Sequence, residues 1–279
     1  MDIPRKPLTL PQVAEKLGVH YMTVYRYVRT GRLPATRVRG AWQVDPADLA
    51  HVERSRQGTR TAGKAPSRAR LEARLLASDE AGAWDVLEEA LASGMEPDEV
   101  LLELVAPALH SIGTLWEDGK ASVADEHRAS SVAARLISRL GARFARRGHR
   151  RGTVAIAAAP GDLHVLPVAI TANLLRWRGF DVVELGADVP SEALAETATG
   201  EPDLVAVRIA CTTRSSPQAA RRAIAALRQS VPHVPVLLGG AAIADDAHAH
   251  RLGADVFTGG RADEVVRSVE AIVALKPSS

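Results

Sequence analysis

The chain of 279 residues has one cysteine, Cys211, so no disulfide can form within it. That usage suits a reducing compartment, and a cytoplasmic protein is the expectation. Aromatic residues are scarce at 4%, so a core drawn from 46% hydrophobic residues must be mostly Ala, Leu and Val. No stretch approaches the roughly 18 apolar residues of a membrane span, and MDIPRKPLTL lacks the apolar centre of a signal peptide. No membrane partner is therefore expected. Net charge is only +2, so a nucleic-acid site has to come from local clustering of cations. Two phosphate-binding patterns are also missing. No G-x-G-x-x-G follows the first strand-like run of the C-terminal half, which argues against a dinucleotide site, and no Walker A run occurs.

What is present falls into three segments. QGTRTAGKAPSR (57–68) is polar, carries Gly and Pro and has no period, so it reads as a linker. It separates a basic piece, 1–56, from an Ala-rich helical piece, 69–150. A second basic stretch, ARRGHRRG (145–152), precedes a C-terminal piece, 151–279, in which short apolar runs alternate with helical ones.

In the first piece Thr9 can cap a helix over about 10–17, with Leu10, Val13, Ala14 and Leu17 as its apolar stripe and Gly18 as its stop. A second helix is predicted over about 20–30. TRVRG and AWQVD then read as two short strands, and Asp45-Pro46 opens another helix. Helix, tight turn, helix and wing is the winged helix-turn-helix plan. The second helix holds all three tyrosines, including Tyr21 and Tyr25, together with Thr23, Arg26 and Arg29. Val24 and Val28 are left for the core. Arg37 and Arg39 add charge on the wing. Cations for phosphates and donors for base edges make this the expected face for double-stranded DNA. The segment resembles the excisionase/MerR-like DNA-binding domains, in particular the BldC-like type, through LGVHYMTVYRYVRTGRLPATRV.

The second piece predicts four helices, at about 69–77, 79–93, 97–117 and 122–146, joined by short loops as in a four-helix bundle. Pro97 suits a helix start, and Ser122 with Asp125 suits a capping box. Trp116 thus closes one helix, while Glu126 and His127 fall in the second turn of the next. Spacing alone leaves two readings of Trp116: a core side chain, or a partner of the Glu126-His127 pair across the loop.

The third piece carries five apolar runs, at 153–159, 181–185, 204–210, 235–239 and 255–258, with helices between them. This predicts a five-stranded parallel sheet of the flavodoxin/Rossmann-like α/β class. For strand order 2-1-3-4-5 a ligand would meet the loops APGDLHVLP (159–167), CTTRSSP (211–217) and GGAAI (239–243). Asp162 could hold one ring nitrogen of His164 and leave the other for a metal. The same pair is compatible with an ordinary loop. Gly239 and Gly240 would let a bulky group lie against the backbone.

Together the three segments resemble the CarH/LitR-type cobalamin-dependent transcription regulators over nearly the full length. The bundle of that family carries Trp-x9-Glu-His, matched by Trp116, Glu126 and His127. Its B12-binding domain carries Asp/Glu-x-His-x-x-Gly and Gly-Gly, matched by Asp162, His164, Gly239 and Gly240. The resemblance implies cobalamin, as adenosyl- or methylcobalamin, with His164 as the lower cobalt ligand. It also implies Trp116, Glu126 and His127 above the corrin, a homo-oligomer on DNA, a regulator rather than an enzyme, and a possible light response. Three departures stand out. Pro167 replaces a Gly, Arg208 replaces a Ser of the third strand, and Glu117 replaces the His that follows the Trp in light-sensing members. Arg208 keeps open a second tetrapyrrole, heme or biliverdin, whose propionate it could pair. A corrinoid methyl carrier is the remaining alternative, against which the DNA-binding segment argues.

Overall fold

The computed structural model describes residues 7–17, 24, 25, 28, 33–38, 41–49, 64–144 and 150–275. The chain divides into two compact units, Met1–Pro66 and Ser67–Ser279.

In the first unit strand β3 (Ala41–Val44) lies between β2 (Thr36–Val38) and β1 (Leu8–Thr9), antiparallel to both. β2 and β3 are the expected wing. The two-residue β1 was not anticipated. The helix Leu10–Leu17 begins where Thr9 donates its N–H and hydroxyl to Gln12 Oε1, at 3.0 and 3.1 Å. Asp45 Oδ1 accepts from the N–H of Ala47 at 2.8 Å and so starts the helical turn at 46–49, behind Pro46. Leu10, Val13, Ala14, Val24, Leu33, Val44 and Leu49 form a small core.

The second unit starts with the bundle: helices Lys64–Leu76, Glu80–Ala92, a long third one and Val123–Gly141. Asp79 caps the second, and Ser122 with Asp125 makes the expected capping box on the fourth. The third helix runs from Pro97 to Glu117 but contains one wide π turn, Leu101–Val105. Pro107 supplies the reason. It has no N–H, and its ring would press on the carbonyl four residues back, so the ladder opens to i→i+5 there: Ala106 N–H reaches Leu101 O.

The sheet has the parallel order β5-β4-β6-β7-β8, formed by Asp181–Gly186, Thr153–Ala158, Leu204–Ala210, Val236–Gly239 and Val256–Phe257. This is the 2-1-3-4-5 order. Every residue of β4 and β6 is buried, as expected for strands covered on both faces. Bundle and sheet share one core, in which Leu87, Leu104, Ile137 and Leu140 pack with Ile170, Leu174, Leu237 and Val269. Phe144 meets Trp177 edge to face at 5.8 Å. No helix of the described residues is long and apolar enough to cross a membrane.

One carboxylate in this packing is poorly served. Asp98 Oδ1 is buried with no hydrogen-bond partner, and Arg178 stands 4.0 Å from its other oxygen. Burial pushes its pKa above the ordinary 3.8, with Arg178 pulling the other way. A carboxyl that binds its proton more tightly when folded destabilises the fold above that raised pKa and ceases to as pH falls through it. Asp98→Asn should therefore raise the melting temperature near neutral pH. The gain should shrink in melts repeated toward about pH 4.

Candidate functional site

In this strand order the connections from β4 and β6 leave in opposite directions, opening a crevice between the loops that follow them. A single carboxylate closes its floor. Asp162 has no solvent exposure, yet it is held by five donor contacts from the two loops. Its Oδ2 accepts from the N–H of Thr212 at 2.5 Å and of Thr213 at 3.4 Å. Its Oδ1 accepts from the Thr212 hydroxyl at 2.6 Å, the His164 N–H at 3.2 Å and the His164 ring Nδ1 at 2.9 Å. Burial alone would favour the neutral acid. The hydrogen bonds from His164 and Thr212 outweigh it and hold the carboxyl well below the usual carboxylate range. A further tie comes from Asp188, at φ +51, whose Oδ1 accepts from the N–H of Gly161 at 2.7 Å.

This network assigns the histidine tautomer. The single Thr212 hydroxyl proton goes to Asp162, so that hydroxyl can only accept at its 2.7 Å contact with His164 Nδ1. Nδ1 is therefore a protonated nitrogen, and in the neutral ring Nε2 holds the lone pair. Among the described residues nothing bonds Nε2, and the side chain is 57% exposed at the crevice mouth. The hydrogen bond to Asp162 raises the pKa of the ring; burial opposes this, and the charges of Asp162 and Glu126 add to it. An imidazole enriched in this way is a stronger lone-pair donor to a metal. No cluster of three or more His, Cys, Asp or Glu suited to a metal exists among the described residues. A metal at His164 would have to bring its other ligands with it.

The effect of Glu126 on His164 crosses from bundle to sheet and follows from how two helices align. Val123–Gly141 and Val165–Trp177 lie side by side and parallel. Glu126 acts on His164, Asn173 Nδ2 donates to Ile137 O at 3.5 Å, and Phe144 meets Trp177. A Cβ at Gly141 would lie 3.4 Å from Asn173 Oδ1, so the helices are in close contact there. Both N-termini thus sit at the crevice end, as does the C-terminus of the helix bearing Trp116, five residues from Ser122. Trp116 is not core: it is 46% exposed. Of six large hydrophobics left exposed among the described residues, four belong to this end: Trp116, Val123, Leu163 and Val165. Glu126 is fixed by Ser130 at 2.6 Å and by His127 Nδ1 at 2.7 Å, and the His127 side chain is exposed.

The remaining expected residues distribute as follows. Arg208 is buried in the middle of β6, and its Nε and Nη1 have no partner. Gly239 and Gly240 border the mouth, but the chain itself accounts for both. A Cβ at Gly239 would strike Thr258 and Gly259, and one at Gly240, at φ +121, would strike Cys211. In the N-terminal unit Tyr25 packs against the small core, and Arg37 is exposed with its guanidinium over Trp42. Tyr21, Thr23, Arg26, Arg29 and Arg39 lie outside the described residues. Sequence reasoning missed Thr212 and Asp188. The loop bearing Thr212 was identified, but which of its hydroxyls meets a buried carboxylate depends on tertiary packing.

Comparison with known proteins fits this geometry. A B12 binding domain is matched at residues 67–140 and a second at 152–270, and a Helix-turn-helix domain is matched at 7–57. The chain joins a helix-turn-helix domain to B12-binding domains. It is 36% identical over 187 residues to the HTH-type transcriptional repressor CarH of Myxococcus xanthus, across 66% of this chain. The match spans 60% of that repressor's length. It is 29% identical over 199 residues to Trimethylamine corrinoid protein 1 of Methanosarcina acetivorans, covering 70% of this chain and 91% of that one. The fold of the B12-binding part is also that of the Methanosarcina barkeri monomethylamine corrinoid protein. There the TM-score is 0.63 at 20% identity, over 72% of this chain and 96% of the other.

The Asp162 network carries a direct expectation. Asp162→Ala leaves the half-buried Thr212 N–H and hydroxyl without their acceptor. It should lower unfolding stability on the order of 1–3 kcal/mol for each donor left unpaired, read as a lower urea midpoint with an unchanged slope.

Proposed function

We propose that this protein is a corrinoid-responsive transcription regulator. It grips double-stranded DNA through the N-terminal unit and holds a cobalamin, as adenosyl- or methylcobalamin, between bundle and sheet. The observation that carries the reading is a lone, oriented imidazole at the switch crevice, in a chain that also has a helix-turn-helix domain and leaves Trp116 exposed at the same end of the bundle. The residues fit the ligand at both faces. His164 offers Nε2 from below, with Asp162 and Thr212 fixing its tautomer. Trp116, Leu163 and Val165 offer exposed apolar surface, and Glu126, held by Ser130 and His127, would offer an oriented acceptor at the same end. A bound corrinoid would supply a cobalt for His164 to hold and a light-sensitive bond from that cobalt to an alkyl group.

The chain's own part is to convert occupancy into assembly. One winged module makes few base contacts, so useful specificity needs several copies on the DNA. A ligand contacting bundle and sheet together favours the arrangements that match it, and shifts assembly only through unequal affinity for them. Glu117 follows Trp116 where light-sensing members of the family carry a histidine, so that position would offer the ligand no imidazole. The DNA-binding unit distinguishes this reading from a methyl carrier, for which such a unit has no role. One observation favours a second tetrapyrrole, heme or biliverdin: the unpaired Arg208, which suits a propionate.

Two experiments test the reading. His164→Ala should change the absorption spectrum of protein loaded with adenosylcobalamin, and coincident spectra would remove His164 as a cobalt ligand. Arg37→Ala should weaken DNA binding and reduce the slope of log affinity against log salt by about one. Gel-shift titrations with an unchanged slope would move the DNA face elsewhere.

A further inference from the structure

Arg208 is the residue of the sheet that folding alone does not explain. It lies on β6, the central strand, 4% exposed, with Nε and Nη1 unbonded. A buried guanidinium without a partner is strongly unfavourable. Its register partners are Ile156 on β4 and Leu237 on β7. Two residues nearer the crevice, on the same face, the row is Ala158, Ala210 and Gly239. This face is packed by Val168 and Ala172 of the helix Val165–Trp177. On β4, β6 and β7, therefore, no side chain longer than a methyl stands between the guanidinium and the mouth.

A second unpaired group lies on the same row. Thr258 Oγ1 is buried without a partner and stands 2.3 Å from the point a Cβ on Gly239 would take. Of the five buried side-chain polar atoms without a hydrogen bond among the described residues, three belong to Arg208 and Thr258. Among the described residues no anion bonds either of them. Cys211 and Asp162 are the groups whose charges reach Arg208. Burial pushes the Cys211 thiol up to about 11, so it is neutral at physiological pH. Both oxygens of Asp162 are already taken by His164, Thr212 and Thr213.

We propose that Arg208 is a receptor for an oxyanion carried by the ligand of the crevice, a phosphodiester or a carboxylate on an arm that descends over the Ala158–Ala210–Gly239 row, with the Thr258 hydroxyl as second donor. This rests on the reading that the crevice takes a tetrapyrrole. Arg208 then selects among tetrapyrroles by the charge of the arm.

The test uses the full chain, wild type and Arg208→Met, with Arg208→Lys as a variant that keeps the charge. Each is titrated by absorption spectroscopy with hydroxocobalamin, with cobinamide (a corrinoid lacking the phosphate-bearing arm), with heme and biliverdin, and with the dimethyl esters of the last two. Melting temperatures are measured without ligand. Arg208→Met should melt higher than wild type when empty, yet bind the anionic ligand more weakly by about tenfold or more. Arg208→Lys should fall between them. A loss seen with cobalamin but not cobinamide assigns the phosphodiester. A loss seen with heme or biliverdin but not the ester assigns the carboxylate. If Arg208→Met binds every ligand that wild type binds within about twofold, the receptor is disproved while the tetrapyrrole reading stands. If wild type binds none of them, both fall.

Discussion

The site depends on keeping one negative charge where water does not reach. Asp162 stays ionised because two loops supply enough N–H and O–H groups to replace its hydration. The exchange binds the loop after β4 to the loop after β6 across the point where the strand order reverses. It also sets the plane of His164, selects the protonated ring nitrogen and leaves Nε2 facing outward. The orientation and tautomer of His164 follow from that buried carboxylate.

A second constraint is the shared core of bundle and sheet. A four-helix bundle standing alone would have to bury its apolar faces internally. Here Ile137, Leu140 and Phe144 instead pack toward Ile170, Leu174 and Trp177, and the two parallel helices are in contact along much of their length. That alignment brings Glu126 near His164, although 37 intervening residues separate them. The apolar surface that this packing leaves uncovered gathers at one end, beside the polar network.

Much of this was legible in the sequence because it is local. The alternation of apolar runs with helical stretches from Thr153 to Leu275 anticipates a five-stranded parallel sheet. Ser122 with Asp125 marks the start of the fourth helix, and the DLH triplet marks the crevice loop. What was not legible depends on who meets whom. β1 is two residues long and exists only because β3 pairs with it. Trp116 sits at a helical spacing that favours a core side chain, and only the packed bundle leaves it exposed. The two glycines of Gly239-Gly240 were expected to make room for a ligand. Their Cβ positions are instead claimed by Thr258, Gly259 and Cys211. Arg208 was visible as an odd residue in an apolar strand, but that its Nε and Nη1 are buried and unbonded among the described residues appears only once the strands and helices around it are packed.

The wide turn at Leu101–Val105 has a consequence some fifteen residues downstream. An α-helix advances about 100° per residue, so one extra residue in a turn rotates everything beyond it by about a quarter of a circle. The azimuth of the indole at 116 is therefore dialled by Pro107 and the loosened ladder before it. Trim a residue there and the helix could still form with the same composition, but its tryptophan would point along a different compass bearing.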